Sequence, residues 1–455
     1  MSADEGASWA AAAAPTVGEV LRLQARLNAG KLALYDLALH AWIGLFGDGL
    51  VSMRAMSAAL GTFAIVLVFL VARELFLPYD SSGEEDRQDG EVGSVAALSA
   101  IIFAISTVPI GYSREVRMYP VLMVTTLAQV GFFLRSVRRG GIGNYAGVAV
   151  FTALSLAAHF TAAFVPASEG LWLLYLLASS RSADDAAGFA QKREFAQQDR
   201  IARRNAVWKL GASIALGVAI IAPLMPSALH SSAEAVRGGA LEWIKPPRLW
   251  DALTLLKSGT GKFVLPVIAV IGAVVGWRRA RGAILFALLW IWVPVLMLLL
   301  VSYAVTPIMV ERYALSSFVP LFILVALAVL SLNIRGARIG TLVLVILLAV
   351  GQDVRFYRHR HNDAQWREAA TIAASSVPSG QLIGVVPAYA VNVVRYYAAP
   401  EKRPDVVAMP DRPSGTAPAV AIIFDQGLSS AEAAALRAAY PEVVARLRRV
   451  NVARR

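Results

Sequence analysis

An α-helical polytopic membrane protein with about ten spanning helices, followed by a small C-terminal extracytoplasmic α/β domain, is the fold class this sequence predicts. Three observations predict it: the composition, a series of long apolar runs, and the side of those runs on which Lys and Arg fall. Of 455 residues, 57% are hydrophobic and 16% charged, too apolar and charge-poor for a globule dissolved in water. The net charge of +12 sits in short basic clusters between apolar runs rather than along one polar face. That placement suits membrane topology, with membrane lipids as surroundings, and argues against nucleic acid as a partner. Without cysteine there is no disulfide framework and no thiolate chemistry.

The chain opens with Met1 to Gly30, which carry no basic region and no apolar stretch long enough for a signal peptide, and Ala10–Ala14 is too short to cross a bilayer. Leu32–Phe46 follows (LALYDLALHAWIGLF), a broad apolar stripe interrupted by Asp36 and His40, which reads as an interfacial helix able to wall a site at the lipid boundary. Residues 1–53 are therefore expected to form an extracytoplasmic first loop.

A hydrocarbon core about 30 Å thick takes roughly 20 apolar residues to cross. Ten such runs occur, near 54–77, 94–112, 118–136, 144–158, 163–180, 208–226, 263–277, 282–302, 314–333 and 338–352, of which 144–158 and 338–352 are the shortest. They define a bundle over 54–352. Basic residues in short loops stay on the cytoplasmic side. With ten runs, the connections Arg135–Arg139, Lys192–Lys209, Arg278–Arg281 and Arg335–Arg338 all fall there. The acidic loop Asp80–Glu91, with Glu84, Glu85 and Asp86, differs in sign, but carboxylates weigh little in this rule.

The tail, 353–455, changes character. GQLIGVVPAYA and AVAIIFDQG read as strands, while DAQWREAATIAASS and SSAEAAALRAAYPEVVARLRR read as helices capped by Asp363 and by Ser429 or Ser430. Strands alternating with helices predict a small extracytoplasmic α/β domain. It carries no GxGxxG, no Walker A sequence and no metal-ligand spacing.

The outside face collects the ionisable residues. They are Asp4 and Glu5; Lys31; Arg114, Glu115, Arg117 and Tyr119 in YSREVRMYP; His159; Glu242 and Lys245; Lys257 and Lys262; and Glu311, Arg312 and Tyr313 in TPIMVERY. Carboxylates beside several cations suit a reaction in which a base takes a proton from a nucleophile while arginines hold a departing phosphate. Bland readings compete. An Asp-Glu pair near a terminus is usually solvated, and arginines at span ends are usually topology anchors or headgroup contacts, the favoured reading for Arg135–Arg139 and Arg278–Arg281. Arg117 and Arg312 lie on the wrong side for that rule. His159 has no second imidazole at ligand spacing, so a hydrogen-bonding role is favoured; His359 and His361 read as a polar linker. The ten tryptophans fit interfacial belts, with Trp243 and Trp250 able to serve as belt or sugar platform.

The opening stretch from Asp4 to Phe76 resembles the beginning of a family 39/83-type glycosyltransferase of the GT-C fold, the polyprenyl-phosphate-sugar mannosyltransferase and aminoarabinose-transferase-like group. An acidic pair, an amphipathic helix ending in LFGD, and an arginine with SAALGT opening a span follow in that order. YSREVRMYP, VERYALSSFVP and DAQWREAATIAASSVPSGQLIGVV resemble its later segments. The resemblance implies an inverting transfer of a sugar from a polyprenyl-phosphate donor to a lipid, glycan or protein acceptor, at the outer face of a bacterial plasma membrane. It implies Asp4 as catalytic base and Glu5 beside it shaping the site. Arg117 and Arg312 would bind the lipid phosphate, helped by Lys31 and Arg114, with weaker substrate contacts from Tyr119, Tyr313 and His159. No cofactor is required, although a divalent metal is compatible. Two departures stand out: the family has a span ahead of the acidic pair, implying a late start or a shortened chain, and Gly30–Tyr35 stands where a His-Pro-Pro-Leu-Tyr string is usual. The rivals are a transporter or lipid flippase without chemistry, and an inactive scaffold. Spans largely free of charge, with ionisable groups gathered at one face, favour surface chemistry.

Overall fold

The computed structural model describes the chain except residues 29, 78–84, 183–189, 240, 242, 261–262, 360–364, 379, 410–417, 425–427 and 448. Glu84, Glu242, Lys262, His361 and Asp363 thus lie outside the described residues, as do the side chains of Glu85, Asp86, Lys192 and His359.

Three short helices precede the bundle: α1 (Ala3–Ala12), α2 (Val17–Leu27) and α3 (Leu34–Phe46). α1 starts at a reciprocal capping box, in which Ser2 accepts from the Glu5 N–H and Glu5 accepts from the Ser2 N–H. α3 buries Tyr35, Asp36 and Leu39 and leaves Leu45 and Phe46 exposed, apolar groups suited to a lipid boundary. His40 bonds the Ala12 carbonyl at 2.8 Å, tying α3 to α1.

The bundle comprises α4 (Leu50–Phe76), α5 (Glu85–Ala104), the single-turn-and-a-half α6 (Thr107–Tyr112), α7 (Tyr119–Arg139), α8 (Ile142–Ala158), α9 (Phe164–Ser182), α10 (Ala190–Ile221), α11 (Met225–Arg237), α12 (Asp251–Thr260), α13 (Val264–Ala304), α14 (Leu315–Leu330) and α15 (Arg335–His359). Among the described residues, seven stretches are long and apolar enough to cross a membrane, while Gly90–Ala104 and Ile142–Ala158 are shorter apolar helices. The run expected at 94–112 is divided, because α5 ends at Ala104 and α6 begins at Thr107. α13 is broken at Ala280, whose φ of −143° and ψ of 44° are not helical. A Cβ on Gly276 would lie 3.0 Å from Ile284 Cδ1, whereas eight residues of straight helix rise about 12 Å. The chain therefore doubles back at Arg278–Arg281, and the runs expected at 263–277 and 282–302 are its two arms.

α14 is the enclosed centre, with 78% of its apolar window buried, and α15 the periphery, with 11%. The close approach of α13 to α14 needs Gly272, since a Cβ there would strike the Leu324 carbonyl. Phe133 and Phe286 stack with centroids 5.8 Å apart, and Trp172 meets both edge-on at 5.9 and 5.5 Å. Glu169, wholly buried, accepts from Gln129 Nε2 at 3.1 Å.

The C-terminal part is an α/β unit of α16 (Trp366–Ser375), α17 (Val391–Tyr397) and α18 (Ser430–Ala439) around β1 (Ile383–Val386), β2 (Val406–Ala408), β3 (Val420–Phe424), β4 (Glu442–Arg446) and β5 (Val450–Arg454). The sheet order is β2-β1-β3-β5-β4, parallel across β2, β1 and β3 and antiparallel across β3, β5 and β4. One expectation is corrected here. The helix expected across SSAEAAALRAAYPEVVARLRR stops at Ala439, just before Pro441, and EVVAR becomes β4. Proline ends the helix, and paired valines next to a complementary VNVAR edge favour strand pairing. Ser429 is the cap, with Glu432 completing its box.

This unit grips α1. A Cβ on Gly6 would lie 2.6 Å from Val393 N, so helix and backbone touch directly. Trp9 lies between Tyr396 (5.2 Å) and Arg403 (5.1 Å), and its Nε1 donates to Asp48 at 3.1 Å.

Candidate active site

α1 presents Asp4 and Glu5 in its first turn, and adjacent helical positions point in different directions. Glu5, 2% exposed, turns inward. Its carboxylate accepts Arg54 Nε at 3.0 Å and Nη2 at 2.9 Å, the Val116 N–H at 3.0 Å and the Ser2 N–H at 2.7 Å. Burial alone would raise its pKa, but the Arg54 guanidinium and these N–H donors hold it below the usual carboxylate range. Glu5 thereby ties α1 to the start of α4 and to the backbone next to Arg117.

Asp4 faces outward, its side chain 58% exposed, with Arg312 Nη1 3.6 Å from Oδ2. Arg312 itself lies over Trp243 (5.1 Å) and Tyr313 (5.5 Å), so aromatic faces hold the guanidinium flat. Arg117 Nη1 donates to the Asp4 carbonyl (3.1 Å), Ser8 Oγ (3.4 Å) and Asn28 Oδ1 (2.9 Å). Burial opposes its charge, yet Asp4, Tyr119 and Asp36 hold its pKa above the ordinary arginine value. The Nε atoms of Arg117 and Arg312 are buried without a hydrogen-bond partner, donors that an anion entering between them would satisfy.

Behind Arg117 lies a wholly enclosed relay. Asn28 Nδ2 donates to Asp36 Oδ1 at 3.3 Å, and Lys31 Nζ meets Asp36 Oδ2 at 2.6 Å; Lys31 also lies over the Tyr35 ring at 5.0 Å. Burial lowers the Lys31 pKa, Asp36 counteracts, and Arg117 adds to the lowering. His159 packs on Tyr313 (4.9 Å) and shares its Nδ1 with Thr161. Burial, then Lys31, Arg117 and Arg312, bring its pKa down to about 3, so the imidazole is neutral at ordinary pH.

The expected residues Asp4, Arg117, Arg312, Lys31, His159, Tyr119 and Tyr313 thus come together at one rim of the bundle. Tyr119 is buried 4.8 Å from Tyr112. Arg114 lies instead over Tyr357 of α15 at 4.8 Å. Arg54, Asn28 and Asp36 complete the site without having been expected there. Arg54 was visible only as the arginine that precedes SAALGT at the opening of a span, no sequence signal announces Asn28, and Asp36 was visible as a charge breaking an apolar stripe. Exposed Tyr389, from the C-terminal unit, is close enough for the charge of Asp4 to help raise its pKa after burial. Among the described residues, no group of three or more His, Cys, Asp or Glu is placed to share a metal ion.

No family model matches the chain, and no curated protein matches it in sequence. Solved structures do. The chain is similar to ArnT from Cupriavidus metallidurans in the apo state, at TM-score 0.62 and 14% identity, covering 100% of this chain and 93% of that one. It is similar also to that protein bound to undecaprenyl phosphate, at TM-score 0.60 and 13% identity, covering 99% and 93%. The chain thus shares the GT-C fold of these ArnT structures.

Proposed function

We propose that this chain is a membrane glycosyltransferase that moves a sugar from a polyprenyl-phosphate donor to an acceptor hydroxyl on the extracytoplasmic side of a bacterial plasma membrane. One observation carries the reading. An exposed carboxylate, Asp4, stands 3.6 Å from Arg312, its backbone carbonyl accepts from Arg117 Nη1, and both guanidinium groups keep a buried donor unspent. A base with room for an acceptor, beside arginines with room for a phosphate, is the pair of functions this transfer needs. The side follows from the arginines of the far rim, at 135–139, 278–281 and 335–338, which the retention rule assigns to the cytoplasm. The likeness to an ArnT structure bound to undecaprenyl phosphate supports the donor class.

In this reading Asp4 takes the acceptor's hydroxyl proton as the oxygen attacks the anomeric carbon. The bond from that carbon to the phosphate oxygen breaks, and its electron pair leaves on the lipid phosphate. Arg117 and Arg312 balance the charge that appears there, which lowers the barrier because the donors are already oriented. Attack from the face opposite the leaving group inverts the anomeric centre. Glu5 holds Asp4 and Arg117 in register without touching substrate. Neutral His159 adds no competing charge, and the steps as written need no cofactor.

The test is release and transfer of sugar from a synthetic polyprenyl-phosphate sugar by the purified full chain, beside Asp4→Asn. Loss of a general base costs about 10²- to 10⁴-fold in rate. Equal transfer by both proteins, or binding of the lipid with no transfer by either, overturns the reading.

A further inference from the structure

A cavity lies at the rim opposite the candidate active site. α4 begins at the site, where Arg54 meets Glu5, and ends at Phe76; that stretch rises about 33 Å, one bilayer thickness. Around Phe76 opens a cleft of about 750 Å³, between the start of the apolar part of α5, the hairpin bend of α13 and the junction of α14 with α15. Its lining is apolar at Val95, Val275 and Leu327. The same lining carries Arg279, Arg338 and Glu91, and all three residues are exposed. Arg338 spends Nε and Nη2 on the carbonyl of Leu332, in the link between α14 and α15, at 3.1 and 2.9 Å. Nη1 is the part of that fork outside those two bonds.

Two guanidinium groups and one carboxylate on a half-apolar cleft make a two-signed surface. A bare phosphate would satisfy the arginines and be repelled by Glu91. A quaternary ammonium would offer Glu91 a charge but no N–H to donate. A headgroup with a phosphodiester and a primary ammonium a few bonds apart meets both, and the apolar part of the lining takes the acyl chain joined to it. We propose that this cleft binds an amine-bearing phospholipid headgroup, phosphate on Arg279 and Arg338, ammonium on Glu91, at the membrane face opposite the candidate active site. Lipid rather than a free phosphoamine is the source, because the cavity opens at the rim where headgroups lie and half its lining is hydrocarbon. The site stands apart from the transferase reading and does not depend on it.

The full chain, purified and delipidated, is offered equimolar phosphatidylethanolamine, phosphatidylglycerol and phosphatidylcholine, and retained lipid is counted by native mass spectrometry. Ion pairs at exposed sites are weak, so the expected preference for phosphatidylethanolamine is about fivefold. Glu91→Gln abolishes that preference in favour of phosphatidylglycerol, Glu91→Asp keeps it, and Arg279→Gln lowers retention of both. Soluble phosphoethanolamine at the same concentration does not displace the lipid. Equal retention of the three lipids by the parent, a parent preference for phosphatidylglycerol, an unchanged profile in Glu91→Gln, or displacement by the soluble headgroup each overturns the proposal.

Discussion

Replacing Arg54 by Met leaves Glu5 as an uncompensated carboxylate at 2% exposure. Of the four hydrogen bonds that Glu5 accepts, the substitution removes the two from Arg54, at 3.0 and 2.9 Å, and keeps those from Val116 and Ser2. Two charge-assisted bonds at about 1.5 kcal/mol each give about 3 kcal/mol, at the lower edge of what breaking a buried ion pair costs. The reverse substitution is milder. Glu5→Gln strands an arginine that is 29% exposed and able to turn toward water, so about 1–2 kcal/mol is expected. The double variant Arg54→Met with Glu5→Gln removes the stranded charge and should be more stable than Arg54→Met alone, a sign that simple loss of packing would not give. Reversible denaturation of the four proteins in detergent measures this cycle. A cost below about 1 kcal/mol for Arg54→Met, or a double variant less stable than Arg54→Met, would refute the reasoning that Glu5 is a structural crosspiece. Donor turnover should fall in Arg54→Met as well, because α1 and the backbone beside Arg117 lose their shared anchor.

Three further outcomes are expected. The His159 pKa lies near 3 in the folded chain against about 6.5 unfolded, so the unfolded state binds the extra proton. Stability from this group is complete above pH 6.5 and declines by about 1.4 kcal/mol per unit as pH falls toward 3; His159→Asn should flatten that part of a denaturation-against-pH curve, and an unchanged slope would contradict it. Gly6→Ala drives a methyl into the Val393 backbone, which lies 2.6 Å from the new atom and cannot rotate aside as a side chain could. A loss of about 1–3 kcal/mol and faster proteolytic release of the C-terminal unit are expected, whereas unchanged protease resistance would show that α1 is not gripped there. Asp4→Asn should leave stability within about 0.5 kcal/mol of the parent, since Asp4 is exposed and its pairing with Arg312 is loose; a larger loss would make Asp4 structural.

Much of this molecule was legible because hydropathy acts locally. The apolar runs, the two arms around Arg278–Arg281, and the strands at Ile383–Val386 and Val420–Phe424 are each decided by neighbouring residues. The helix expected through EVVAR failed for the complementary reason: its strand state depends on pairing with Val450–Arg454, which local pattern does not contain. The site divides the same way. Arg117 and Arg312 stood out because they lie on the face where the retention rule does not explain arginines. Arg54 did not, since its partner is 49 residues away, and Glu5 was expected beside substrate but faces the interior. Asn28 became visible only once folding placed it between Arg117 and Asp36. Arg114 has the residue type a phosphate site wants, yet three positions earlier than Arg117 in the non-helical link between α6 and α7 it lies over Tyr357 instead.

The central claim is that two guanidinium groups wait for a lipid phosphate beside an exposed carboxylate. Affinity of the full chain for polyprenyl phosphate, measured by scintillation proximity in detergent for the parent and for Arg312→Gln, tests it most directly. Loss of one charge-assisted contact predicts about 10- to 100-fold weaker binding. Equal affinity in both proteins would place the phosphate elsewhere and contradict the account.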